Sequence, residues 1–421
     1  MSYLTDASLE VLHMILYNVD QQSDLYQCAL VNKSMYAATN PLLWREPTVF
    51  NRETFRESNI AACLLRSFRQ ARIHGFRATS LGQHIRTLYF RVDTLLQDLR
   101  QMINNVPLVD ELIIHVITLK DKDMERIAIK CPQLKRLTLR YLMDAPDHFF
   151  EPLRHCTNLR ELNIIDSIRL NYQLASLNHG QLEKLTLRPY VHTGDSFTWS
   201  IFGEVPTLND LAIPTLTHLD MDSMTETYFQ HYHSLSSPTL FPVLTDLRIA
   251  MPFYTATADD TVVSFFKAHP LIDTLTIQCM EIDPVIMISL AIDLVHLKRL
   301  TLIDNQHLPT FTMALPLVEK LSLRGCRMNV DSMVQMVMHF PSLHYIHVTN
   351  IIGLQSFGDG LPLDGLTIES RTHLTYLDLT SRDSVPDQLK EHLPRRMDGK
   401  LVQEDLEQIR KTAVGLLWID Q

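Results

Sequence analysis

The sequence predicts an α/β protein in two parts. A small bundle of three helices comes first, and a solenoid with a curved parallel sheet inside and helices outside follows. Three observations carry this. A short phrase recurs from Ile85 to Leu374: an apolar residue, two variable ones, then Leu-x-Leu or close to it. Most copies stand 21 to 31 residues apart, room for one strand and one return segment. The first 47 residues lack the phrase and space their apolar residues by three and four.

Residues 1–47 open with Asp6 placed to cap a helix and Glu10 in its first turn. Leu9, Leu12, Ile15, Leu16 and Val19 mark the helix face. Ser23 and Asp24 open a second helix carrying Leu25, Cys28, Ala29 and Val31. A third helix is expected around Lys33 to Thr39, stopping before Pro41, since proline lacks an N–H and clashes with the turn before it. Pro41, Leu42, Leu43, Trp44 and Arg45 close the unit. So small a core is marginal alone, and the unit gains by docking on something else.

Residues 48–83 read as linking helices. From Ser58 to Val92 there is no acidic residue, yet Arg66, Arg69, Arg72, Arg77, Arg86 and Arg91 all occur. Arg66, Arg69 and Arg72 step by three and fall near one helix face. That face is either solvated cover for the first repeat or a contact for an acidic or phosphorylated partner.

The repeats occupy residues 84–383. Their clearest copies are Leu134-Lys-Arg-Leu137-Thr-Leu139, Leu182-Glu-Lys-Leu185-Thr-Leu187 and Leu297-Lys-Arg-Leu300-Thr-Leu302. Others start at Ile85, Val109, Leu159, Leu208, Leu216, Leu244, Ile272, Val318, Leu343 and Leu374. Leu208 and Leu216 are too close for both to begin a repeat strand. A period of about 20 to 29 residues with this wording is the signature of leucine-rich repeats. The fourth and sixth positions share a parity and point into the core, while the third, fifth and seventh point out. Helices ending at Cys131-Pro132, His269-Pro270 and Phe340-Pro341 return the chain. On the outward face, Arg136, Arg140, Lys184 and Arg188 make a basic patch, and Asp210, Asp220, Asp222 and Asp246 an acidic one. With Arg248, Arg299, Arg324 and Tyr345 they form the candidate substrate-binding face.

Pro189 to Pro206, Asp222 to Pro242 and Asn350 to Arg371 break the period, and are either binding loops or plain excursions. Residues 384–421 carry leucines among charges and read as a helical cap on the open end of the solenoid.

Composition narrows the function classes. The chain has 421 residues, 46% hydrophobic and 20% charged, with net charge -10, which argues against general nucleic-acid binding. Six scattered cysteines without a CxxC pair read as buried thiols of a reducing compartment. No signal peptide and no membrane span is expected, which places the chain in the cytoplasm, the nucleus or both. His231-x-His233 is the tightest histidine pair and lacks further ligands at metal-binding spacing. No HExxH, GxSxG, GxGxxG or Walker pattern occurs, so no catalytic, metal or cofactor site is expected.

Two resemblances sharpen this. Leu321-Ser-Leu323-Arg-Gly-Cys326, and Asn305 after Leu300-Thr-Leu302, resemble the leucine-rich repeats of F-box proteins, which carry Asn or Cys at that position. The run from Leu4 through Leu9, Leu12, Ile15, Leu16, Leu25, Leu30 and Val31 to Pro41-Leu42-Leu43-Trp44 is itself similar to an F-box. It departs from that pattern at Thr5, usually proline, and at Met35-Tyr36, near which a tryptophan is usual. The resemblance implies that these twelve residues dock on the Skp adaptor of a cullin-based (SCF) ubiquitin ligase. It implies that the repeats hold a substrate protein for ubiquitin-dependent degradation, acting through proximity. The rival readings are a repeat scaffold without a ligase and a regulator of a small GTPase.

Overall fold

The structure is a computed structural model. It describes residues 7–47, 59–74, 81–90, 96–115, 119–142, 148–167, 181–189, 213–221, 241–251, 256–279, 281–305, 313–326, 339–343, 345–349, 376–379 and 400–402. The chain divides into two compact units, Met1–Val205 and Pro206–Gln421. The stretch 84–383, expected as one domain, is therefore shared between them, and the N-terminal bundle belongs to the first.

The bundle comprises α1 (Leu9–Leu16), α2 (Gln22–Ala29) and α3 (Lys33–Leu43). Ser8, not Asp6, caps α1: its hydroxyl accepts from the Val11 N–H at 3.4 Å. Serine stands directly before the first helical residue, where a short side chain reaches the free N–H groups, whereas Asp6 lies outside the described residues. Asn32 caps α3 through the Met35 N–H at 2.8 Å. Contrary to expectation, α3 runs through Pro41. A proline in the last turn forfeits one backbone bond, and Leu42 and Leu43 gain by packing on the core of Leu12, Leu16, Leu25 and Ala38.

The first unit continues with α4 (Asn59–His74), a 3-10 turn at Leu81–Gln83, β1 (Thr87–Phe90), α5 (Leu96–Ile103), β2 (Glu111–His115), α6 (Asp121–Lys130), β3 (Arg136–Arg140), a second 3-10 turn at Glu151–His155, β4 (Glu161–Ser167) and β5 (Lys184–Pro189). Strands β1 to β5 pair in order, all parallel. In the second unit β6 (His218–Met221), β7 (Asp246–Met251), β8 (Thr274–Cys279), β9 (Arg299–Ile303), β10 (Lys320–Arg324), β11 (Tyr345–Thr349) and β12 (Tyr376–Leu379) do the same. Helices α7 (Ala256–Ala268) and α8 (Pro284–Ile292) return the chain before β8 and β9. Leu216 rather than Leu208 precedes a described strand.

The repeat phrase explains this topology. Leu88, Leu112, Leu137, Leu162 and Leu185 align in one buried row, and Phe90, Ile114, Leu139, Ile164 and Leu187 in the next. Neighbouring strands lie about 4.8 Å apart, so each row is a continuous apolar ladder. The residues that open each phrase, Ile85, Val109, Leu134, Leu159 and Leu182, form a third buried row. The second unit repeats the pattern through Leu219, Leu247, Leu275, Leu300 and Leu321. Strand exits share one device: Tyr141, Asp166, Asp304 and Gly325 each take a left-handed backbone two residues past the sixth position of the phrase. Only Gly325 does so without a side-chain cost.

Strands β1 to β5 and β7 to β10 are entered through a shared acceptor. In the first unit the N–H groups of Asp110 and Glu111 both donate to the Arg86 carbonyl, and those of Lys135 and Arg136 to Asp110. The N–H groups of Arg86 and Thr87 donate to Arg45 at 2.8 and 3.1 Å. Arg45, the last residue of the bundle's closing Leu-Leu-Trp-Arg, thus serves as the rung before the first repeat and ties α1–α3 to β1.

Between α5 and α6, Arg100 grips the buried Asp123 with both arms of its guanidinium, at 2.6 and 3.0 Å. Of the expected helical cap, only three residues fall within the described ones, and they are strand. Lys400–Val402 forms β13, antiparallel to β12, and the rest of 384–421 lies outside the described residues. An edge strand presents unpaired N–H and C=O groups, and pairing with β13 satisfies part of that edge.

Candidate functional site

Two surfaces present side chains to a partner. The first is the outside of α1–α3. Among the described residues of the whole chain, twenty large apolar side chains are exposed, and nine of them stand between Leu9 and Tyr36. Val31 (67% exposed), Leu30 and Met14 (63% each) are the most open, with Ile15 and Leu9 near half. The reason is local. Six of the eight residues of α1 are apolar, so Leu12 and Leu16 fill the core while Leu9, Val11, Met14 and Ile15 are left outside. So dense a set of exposed apolar groups marks an interaction surface.

The twelve residues assigned to adaptor docking separate by this burial. Leu12, Leu16 and Leu25 are core and hold the helices together. Pro41, Leu42, Leu43 and Trp44 are half-buried. Leu9, Ile15, Leu30 and Val31 are exposed, and Leu4 lies outside the described residues. The sequence list omitted Val11, Met14, Tyr17, Tyr26 and Tyr36, all exposed. The signal that could have found them is the excess of apolar residues over what one helix face can bury.

The second surface is the outward face of the strands. Parallel register sets Glu111, Arg136, Glu161 and Lys184 side by side on β2 to β5. The expected basic patch of Arg136, Arg140, Lys184 and Arg188 is therefore interrupted, because Glu161 of β4 stands between Arg136 and Lys184. Arg136 also donates to Glu111 at 2.8 Å, Lys135 pairs with Asp110 at 3.4 Å, and Arg160 with Glu183 at 3.3 Å. Arg136, Lys135, Asp110, Arg160 and Glu183 line a shallow depression of about 360 Å³ with Glu161 and Lys184, nearly balanced in charge. At the far ends of the strands Arg140 and Arg188 flank Ile165. Beside them Tyr89 is hydrogen-bonded to the buried His115 at 3.0 Å, and Tyr141 meets His115 edge-on at 5.9 Å.

In the second unit the two described members of the expected acidic patch, Asp220 and Asp246, both have partners. Arg248 lies between Asp220 (3.5 Å) and Gln278 (2.8 Å), and Gln278 donates to Asp304 at 2.8 Å. Asp246 faces His218 at 3.9 Å, Arg299 pairs with Asp273 at 3.4 Å, and Arg324 is exposed. Asp210, Asp222 and the side chain of Tyr345 lie outside the described residues, as do His231, His233 and most of the three period-breaking segments. Among the described residues no cluster of His, Cys, Asp and Glu is placed to hold a metal, and no helix is long and apolar enough to cross a membrane.

The repeat model of an FBD-associated F-box protein matches residues 74–277. Those residues are leucine-rich repeats of the F-box protein type. The F-box/leucine-rich repeat proteins are typically non-catalytic substrate receptors. No curated protein matches this chain. A crystal structure of the Rad7 and Elc1 complex in yeast is similar at 16% identity and a TM-score of 0.38, covering 90% of this chain and all of that one. At that distance the likeness carries nothing about function.

Proposed function

We propose that the protein is the substrate-recruiting subunit of a Skp–cullin–F-box ubiquitin ligase. In this reading α1–α3 dock on the Skp adaptor, through it on a cullin, and the outward strand face holds a substrate protein. The observation that carries it is the apolar set Leu9, Ile15, Leu30 and Val31, left exposed on a bundle whose own core is only Leu12, Leu16, Leu25 and Ala38. Burying one such side chain contributes roughly 1.5–3 kcal/mol, so a handful suffices for a specific contact. The chain does no bond chemistry of its own. Its contribution is to hold a substrate lysine near the ubiquitin-carrying thioester at high effective concentration. The bond from Arg86 to Arg45 fixes the first repeats against the docking helices. Buried thiols suit a reducing setting, the cytoplasm or the nucleus.

The test is direct binding of the full chain to a purified Skp adaptor by calorimetry. Ile15→Asp, Leu30→Asp and Val31→Asp abolish binding without lowering the melting temperature, because all three side chains already face solvent. Absence of binding by the unaltered chain at micromolar concentrations overturns the reading in favour of a repeat scaffold without a ligase.

A further inference from the structure

We propose that the outer face of α4 is a docking surface for an acidic helical segment of a partner protein, separate from adaptor docking by α1–α3. Arg66, Arg69 and Arg72 are all exposed on α4, while Leu64 and Phe68, opposite Arg66, are fully buried. Among the described residues, none of the three arginines has a hydrogen-bond or ion-pair partner. Other surface arginines of this protein are neutralised by its own carboxylates: Arg136 by Glu111, Arg154 by Glu151, Arg160 by Glu183 and Arg299 by Asp273. No acidic residue occurs from Ser58 to Val92, so α4 offers these arginines no partner at helical spacing. An unpaired basic row on a chain of net charge -10 is a local reversal of sign, and it attracts what the rest of the surface repels.

The geometry selects the partner's chemistry. Residues three apart on a helix place their Cβ atoms about 5–6 Å from one another, and the row from Arg66 to Arg72 spans about 9 Å along the axis. A single phosphate needs guanidinium groups converging on one point, whereas these are strung out in a line. A line fits successive carboxylates on the facing side of a second helix, each accepting two N–H bonds from one arginine fork. Ile73, 75% exposed and one turn beyond Arg69, adds an apolar contact beside the charges. A nucleic-acid strand also carries charges in a line, but the protein's overall negative charge opposes it.

The experiment uses the full chain and a fluorescein-labelled, alanine-based helical peptide with glutamates at three- and four-residue spacing, read by fluorescence anisotropy. Saturable binding is expected, weakened by salt and absent for the same peptide with glutamine in place of glutamate. The triple variant Arg66→Gln, Arg69→Gln, Arg72→Gln binds on the order of tenfold more weakly, the scale of losing three exposed pairs. Arg136→Gln, which removes an exposed arginine already paired with Glu111, leaves binding unchanged. Should the triple variant melt early, Arg69→Glu alone, at the centre of the row, is read instead. No saturable binding, an unaltered affinity in the variants, or tighter binding of an oligothymidylate of equal charge overturns the proposal.

Discussion

At the scale of single residues, burial decides chemical behaviour more than residue type does. Cys131 and Cys279 are pushed up to about 12, and Cys156 and Cys326 to about 11, chiefly by burial. Their thiolates are scarce at neutral pH, so they are poor nucleophiles. Native protein treated with a disulfide reagent at pH 8 is expected to lose the exposed Cys63 first and the half-buried Cys28 next, with the remaining four reacting only after unfolding. Prompt modification of all six would contradict this burial. Asp123 is the converse case. Burial raises its carboxyl, but the hydrogen bonds from Arg100, the Lys120 N–H and the charges of Arg100 and Arg126 outweigh it and hold the group below its usual range. Arg100→Ala leaves that carboxylate buried without its partner. A loss of about 2 kcal/mol in urea unfolding is expected, the figure being moderated by the partial exposure of Arg100.

At the scale of the element, α1 shows how one helix is shared between folding and binding. Its two faces are both apolar, and only one can be covered by α2 and α3. Leu12→Asp places a charge in the core of the bundle and is expected to unfold it, costing adaptor binding and the far-ultraviolet helix signal together. Ile15→Asp is expected to cost binding alone. A melting temperature equally lowered by both would show that Ile15 is structural and would remove the evidence for docking. The strands follow a stricter rule, since a two-residue alternation sets which side chains are buried, His115 and Ala250 being exceptions at strand ends. All eleven described residues that open a repeat phrase, from Ile85 to Leu343, are buried.

At the scale of the molecule, each unit carries its own titrating group. In the second unit His269 ends the segment after α7, stacked 4.1 Å from Phe265. Burial pushes it down to about 4 from an ordinary 6.5, the hydrogen bond to the Phe265 carbonyl acting in the opposite sense. A folded-state value below the unfolded one means stability that is complete above pH 6.5 and is lost as pH falls toward 4, on the order of 3 kcal/mol. In the first unit the Asp123 contribution persists above the usual carboxylate range and is lost only as pH falls through the depressed value. Hydrogen exchange at pH 5 is therefore expected to show α7 and β8 opening faster than at pH 7 while α5 and α6 remain protected. In His269→Gln that difference should shrink. Opening of α5 and α6 first would refute this order.

The sequence by itself determined the repeat architecture, because the period and the parity of leucines are local properties of the chain. It also showed the altered character of residues 1–47 and the row of arginines on α4 without acidic residues nearby in the chain, since both are matters of composition and spacing. Only the tertiary structure decided which charges stand beside which. Strands adjacent in the sheet are about 25 residues apart in the chain, and no local pattern reveals that Glu161 falls between Arg136 and Lys184, or that Arg248 bridges Asp220 and Gln278. The same holds for the bundle, where Leu12 and Ile15 look alike in the sequence. What distinguishes them is the direction of approach of α2 and α3, which buries one and leaves the other for a partner. It holds also for Lys400–Val402, whose antiparallel pairing with β12 no local pattern reveals.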